Sequence, residues 1–164
     1  MLKLAQLNAM PRAEFVRTLG GVFERSPWIA EVAADRRPFA TIENLRAALN
    51  NIVTQSSEAE QVALIRAHPD LVGKATLTAE STREQAAAGL GKLSPAEVEE
   101  FRSYNAAYRQ RFGFPFVICA RLNKKDAILA AFPVRLQNSR DQEIETALEE
   151  IFKIAELRLK DLVE

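Results

Sequence analysis

Ser57-Glu58-Ala59-Glu60-Gln61-Val62-Ala63-Leu64-Ile65-Arg66-Ala67-His68-Pro69-Asp70-Leu71 contains both the fold signal and the first candidate for chemistry. Ser57 followed by Glu60 is a capping box, so a helix opens there. His68 precedes a proline, and the residue before proline is pushed out of the α region, so the helix ends near it. Leu64 and Ile65 lie four and three residues earlier, which turns His68 towards the apolar face. His68 is the only histidine of 164 residues. Imidazole is the side chain whose ordinary pKa allows proton transfer near neutral pH. A core histidine satisfied by a carbonyl at a helix end would give the same pattern.

The grammar of a capped helix recurs on both sides of this stretch. Towards the N-terminus, Pro11 to Arg25 places Phe15, Leu19, Val22 and Phe23 at helical spacing. Ser26-Pro27 reads as an N-cap with proline at the first helical position, opening a short helix to about Asp35. Arg36-Arg37-Pro38-Phe39 interrupts, and Thr41 caps a helix with Leu45, Ala48, Leu49 and Ile52 on one face. Leu71 to Gly91 is less regular; Ser81-Thr82-Arg83-Glu84 reads as a capping box leading into Gln85–Ala88 and stopping at Gly89. Ser94-Pro95-Ala96-Glu97 opens a longer helix ending at Gly113, with Val98, Phe101, Asn105 and Tyr108 along one side.

Phe114-Pro115-Phe116-Val117-Ile118-Cys119 breaks the pattern and predicts an extended segment. It has no second strand to pair with, so its backbone groups need other partners. Such a segment could be a buried connector, or could bind a polar ligand through its main chain. Asp126 to Gln137 reads as helix, with Pro133 expected to kink or end it. Ser139-Arg140-Asp141-Gln142 caps the last helix, whose apolar stripe is Ile144, Leu148, Ile151, Ala155 and Leu162. Arg158 lies on that stripe and needs a partner, because an unpaired buried charge is costly. A structural ion pair or an anion-binding residue would both meet that need. The expected fold is all-α, one compact domain spanning residues 1–164, with about eight helices and one short extended segment.

Bulk composition narrows the function classes. Lys plus Arg equals Asp plus Glu, at 22 each, so there is no overall pull towards nucleic acid or an anionic membrane. Arg36-Arg37 and Lys124-Lys125 are short basic pairs of the kind that normally lie solvated on a surface. No apolar run approaches the length of a membrane span. The lone Cys119 rules out an intramolecular disulfide, and one His with one Cys argues against a protein-built transition-metal site. Cys119 sits in an apolar run with only Arg121 as a nearby basic residue, so it reads as packing and not as a nucleophile. The opening residues lack a signal core, and the last four lack a peroxisomal address, which points to a bacterial cytoplasm.

Longer blocks carry a resemblance. His68-Pro69-Asp70-Leu71, Ser81-x-x-Glu84-Gln85, and Tyr104-Asn105-x-x-Tyr108-x-x-Arg111-Phe112-Gly113-Phe114-Pro115-Phe116-Val117-Ile118-Cys119 are similar to one family. So are Gly20–Glu24 with Ser26–Ala30, and Lys153-Ile154-Ala155-x-x-Arg158-Leu159. The chain resembles 2-oxo-4-hydroxy-4-carboxy-5-ureidoimidazoline (OHCU) decarboxylases over about Leu7 to Leu162. The resemblance implies an all-helical, cofactor-free lyase, commonly a homodimer, that releases CO2 and forms (S)-allantoin. It implies that His68 is the catalytic histidine and Pro69 a substrate contact. It implies that Ser81, Thr82, Arg83, Glu84 and Gln85 hold the ureido and ring groups, with Glu84 the important carboxylate. It implies that the backbone of Phe116, Val117, Ile118, Cys119 and Ala120 binds the ring, and that Arg158 lies in the active site. Pro133 departs from the family pattern, in packing more than chemistry. A capping box explains Glu84 without substrate, and one carboxylate cannot easily do both; the expectation is substrate contact for Glu84 and capping for Ser81.

Two other classes fit the residues less well. A metal-free hydrolase of a ureide or lactam could use His68, Glu84 and Arg158 to activate water, and would release no CO2. A helical interaction module would lose nothing on substitution of His68.

Overall fold

Side-chain caps at Thr41, Ser57, Thr78, Ser94 and Ser139 open helices in the computed structural model, which describes residues 1–73 and 76–164. Lys74 and Ala75, within the stretch expected to be less regular, lie outside the described residues. Among those described, the regular structure is helical, with one isolated parallel bridge between Leu2 and Val163. The chain gathers into two compact units, one of Met1–Ala67 with Phe152–Glu164 and one of His68–Ile151.

The first unit holds α1 (Leu4–Ala9), α2 (Arg12–Leu19), α3 (Trp28–Ala34), α4 (Ile42–Thr54) and α5 (Glu58–Arg66). Helix α1 has no counterpart among the expected helices. α3 packs on α2 and α4. Phe15, Leu7, Ile29, Leu45 and Val53 are fully buried here, each apolar side chain stabilising by about 1.5–3 kcal/mol when removed from water. Thr41 accepts from Asn44 N, and Ser57 with Glu60 forms the expected capping box.

Three expectations change in this unit. α2 stops at Leu19 instead of running to Arg25, with Gly20 as its C-cap. A Cβ at Gly20 would stand 2.7 Å from the Val16 carbonyl oxygen, which no side chain tolerates. Val22 and Phe23 remain buried, but from turns. Ser26 does not cap α3: its hydroxyl donates to the Glu24 carbonyl at 2.8 Å, and the helix begins one residue later than expected, at Trp28. The Arg36-Arg37 pair also divides. Arg36 is exposed, whereas Arg37 is half-buried, donates to the Ala34 and Met10 carbonyls, and lies 4.7 Å from the Phe15 ring centroid.

The second unit holds α6 (Ala79–Ala87), α7 (Pro95–Phe112), a 3-10 turn (Ala120–Leu122), α8 (Lys125–Arg135) and the first half of α9 (Arg140–Leu162), whose last turns belong to the first unit. α7 matches its expected bounds: Ser94 and Glu97 form the capping box, and Gly113 closes it at φ 79°, a left-handed position that favours glycine. Pro133 is accommodated in the last turn of α8, which ends two residues later. Ser139 and Gln142 cap α9 reciprocally.

The core of this unit is aromatic. Tyr108 packs edge-on against Phe114 and Phe116, and Phe116 stacks on Phe132 with centroids 3.8 Å apart. Within it, Tyr108 donates to Glu143 at 2.6 Å and Arg135 Nε donates to the same oxygen at 2.7 Å. Asn138 donates to the other Glu143 oxygen at 2.9 Å.

Candidate active site

α5 delivers His68 as expected: the helix ends at Arg66, Ala67 caps it, and His68 is buried. The segment that follows is held from two helices. Asn105 Nδ2 of α7 donates to the Leu71 carbonyl at 2.8 Å, and Arg109 Nε pairs with Asp70 at 2.9 Å. Val72 N donates to the Gln85 side-chain oxygen of α6 at 3.3 Å. Val72 has φ 57°, a left-handed conformation rare for a β-branched residue, so these tethers hold the backbone in a strained turn.

The helix carrying Glu84 starts earlier than the sequence suggests. Thr78, not Ser81, is the N-cap, and its hydroxyl accepts from Ser81 N at 3.2 Å. Both Thr78 and Ser81 suit a cap, and starting at Thr78 adds a helical turn. This corrects the capping role expected of Ser81 and frees Glu84 from the box. Three residues apart on one face, Ser81 and Glu84 are both buried. Thr82 and Arg83 point elsewhere and are exposed, with the Thr82 hydroxyl donating to Thr78 O. Gln85 is half-buried and occupied in part by Val72.

Pro115 to Cys119 has no regular secondary structure, and Phe116–Ala120 is buried throughout. Its backbone groups find side chains as partners. Arg135 Nη1 donates to Val117 O at 2.5 Å, Cys119 N donates to Glu150 at 3.2 Å, and Asn123 Nδ2 donates to Cys119 O at 2.9 Å. The Arg135 guanidinium also lies 4.2 Å from the Phe116 ring centroid. Ala120 begins the 3-10 turn, which α6 contacts. Burial pushes the Cys119 thiol above its ordinary pKa, helped by the Glu150 and Glu84 carboxylates. The segment after His68, the Ser81–Glu84 face and the Phe116–Ala120 segment are therefore linked through α6 in one unit.

Arg158 lies in the other unit and has the partner its position demanded. Nη2 donates to Glu24 at 2.8 Å, Nη1 donates to Gly21 O at 3.0 Å, and both charged side chains are buried.

Sequence reasoning missed the groups that hold these elements: Glu24, Arg135, Glu143 and Glu150, and the tethering roles of Asn105 and Arg109. A signal existed for two of them. Glu143 and Glu150 are seven residues apart, in line with Ala147 and Ile154, so both acids fall on a seam that is otherwise apolar.

Comparison with known proteins extends this geometry. The OHCU decarboxylase family model matches residues 8–160. The 2-oxo-4-hydroxy-4-carboxy-5-ureidoimidazoline decarboxylase of Haloferax volcanii is 43% identical over 160 residues, 98% of this chain and 95% of that protein. The chain belongs to the OHCU decarboxylase family. A crystal structure of (S)-allantoin synthase superposes with a TM-score of 0.84 at 34% identity. It covers all of this chain, and the chain spans 54% of that protein. A crystal structure of OHCU decarboxylase in the presence of (S)-allantoin superposes with a TM-score of 0.70 at 26% identity, covering 82% of this chain and 89% of the other. The all-α architecture is that of the OHCU decarboxylase fold. No described helix is long and apolar enough to cross a membrane.

Proposed function

We propose that the protein decarboxylates 2-oxo-4-hydroxy-4-carboxy-5-ureidoimidazoline to (S)-allantoin and CO2, the closing step of urate breakdown. One observation supports this best: a family member places its single histidine, buried, on a tethered segment linked through α6 to a buried carboxylate and a buried irregular segment. The bond to the carboxylate breaks, its electron pair stays with the ring, and a proton returns to one face. His68 is the general acid–base group, most simply the donor of that proton. Glu84 accepts ureido N–H bonds and keeps the imidazole oriented or charged. Ser81 and Pro69 contact substrate, with Gln85 beside them, whereas the exposed Thr82 and Arg83, which the family resemblance also implies, lie off the buried face of α6. The main chain of Phe116–Ala120 reads the ring's amide edge. Arg158, held by Glu24, binds an anionic or carbonyl oxygen.

The reading includes a homodimer in a bacterial cytoplasm. Sedimentation should give twice the 18.3 kDa chain mass; a monomer at working concentrations would remove that part. Function is tested by generating the substrate from urate with uricase and the preceding hydrolase, then following allantoin by circular dichroism. Rapid formation of one enantiomer is expected. Slow racemic allantoin, the same with and without protein, would refute the reading and favour a ureide hydrolase.

A further inference from the structure

Helix α7 meets the segment after His68 at two residues one turn apart. Asn105 and Arg109, at i and i+4, share a face of the helix. Asn105 Nδ2 holds Leu71 O, and Arg109 Nε reaches both Asp70 carboxylate oxygens at 2.9 and 3.2 Å. Between His68 and these tethered residues stands only Pro69, whose ring fixes φ. The backbone that carries the imidazole is thus anchored within three residues, at two points on one helix.

The state of the Asn105 side chain says what it contributes. It is buried, and its Oδ1 accepts no hydrogen bond among the described residues. A buried acceptor without a partner is unfavourable, and an apolar side chain of the same size would avoid that cost. What Asn105 supplies is the N–H to Leu71. Asp70, Val72, Gly73, Arg102, Asn105 and Arg109 line an open groove of about 430 Å³, and the two tethers stand at its edge.

We propose that Asn105 and Arg109 are positioning residues for His68. From α7 they fix the His68–Leu71 segment and so aim the imidazole at the carbon that takes the proton. The inference rests on the reading of His68 as the acid–base group. Misplacing a reacting group by about 1 Å is enough to cost on the order of 100-fold in rate.

Two substitutions test it. Asn105→Asp keeps the shape but sets a carboxylate oxygen against the Leu71 carbonyl. Arg109→Ala removes the second anchor at a half-exposed site, where folding is not at stake. Each is expected to lower kcat by about 10- to 100-fold with KM little changed. Each should also move or broaden the imidazole signals in a proton NMR spectrum, which belong to His68 because the chain has one histidine. Pairing Arg109→Asp with Asp70→Arg should recover most of the turnover lost in Arg109→Asp alone. Wild-type kcat and unmoved His68 signals in both variants would overturn the proposal. If Asn105→Asp does not fold, the Arg109 variants decide. A wild-type protein that forms no (S)-allantoin would overturn the decarboxylase reading instead, and the His68 signals would still report whether α7 holds the ring.

Discussion

His68 and Tyr108 lie in the same unit and are opposites in what a proton does to them. For His68, proton transfer is the proposed task, so His68→Asn keeps the size and removes the chemistry. Turnover in the coupled assay should fall by about 100- to 10,000-fold, with far-UV circular dichroism unchanged. Tyr108 is built to keep its proton. Burial and the Glu143 carboxylate both raise its pKa well above the ordinary phenol value, the Arg135 charge only partly opposing them. Above about pH 10 the unfolded chain therefore loses a proton that the folded chain keeps, so stability falls as pH rises. The slope from this one group is about −1.4 kcal/mol per pH unit. Urea denaturation from pH 9 to 11 should show it, and Tyr108→Phe should remove that share. At this scale the sequence was informative about identity and silent about partners. A lone histidine and an arginine on an apolar stripe stood out because each is rare in its setting. That Arg158 meets Glu24, 134 residues away, depends on tertiary folding and leaves no local trace.

Elements were most legible where local chemistry decides them. Ser57, Ser94 and Gly113 closed off α5 and α7 where they were expected, because a cap is made by residues three or four apart. The start of α6 was misread because two hydroxyl residues three positions apart both suit a cap, and only the burial of Ser81 and Glu84 on one face decides between them. The extended segment was visible as a break in periodicity, but not its supports. Arg135 on α8 and Glu143 on α9 form a buried pair, and the pair is also bound to Tyr108, Asn138 and Val117 O. Arg135→Met strands the Glu143 charge and should cost about 3–5 kcal/mol by chemical denaturation. The double variant Arg135→Met with Glu143→Leu should be less destabilised than the single one, because it leaves no lone charge behind.

Over the whole molecule, burial organises chemistry into a reporter. Cys119 is the sole thiol, fully buried in the second unit, with its pKa raised by its surroundings. Ellman's reagent at pH 8 should label the folded protein slowly and the urea-unfolded protein at once. The slow rate should rise in Arg135→Met, since labelling waits on opening of the structure. Rapid labelling of the folded wild type would contradict the buried placement. The all-α class was legible from repeated caps and 3.6-residue periodicity. The grouping of the helices was not, since it rests on contacts between residues far apart in sequence.

The irregular run from Pro115 to Cys119 is held differently from a strand. In a sheet, a strand's neighbours grip it with main-chain atoms that every residue type shares, so substitution leaves the grip intact. Here the grip is exerted by the side chains of Arg135, Glu150 and Asn123. Each is a single codon change away from release, and none needs to touch whatever the run binds. The contour of this run can thus be retuned by drift or by design from positions behind it, and on the proposed reading of the run that is a route to altered ring preference that spares the histidine.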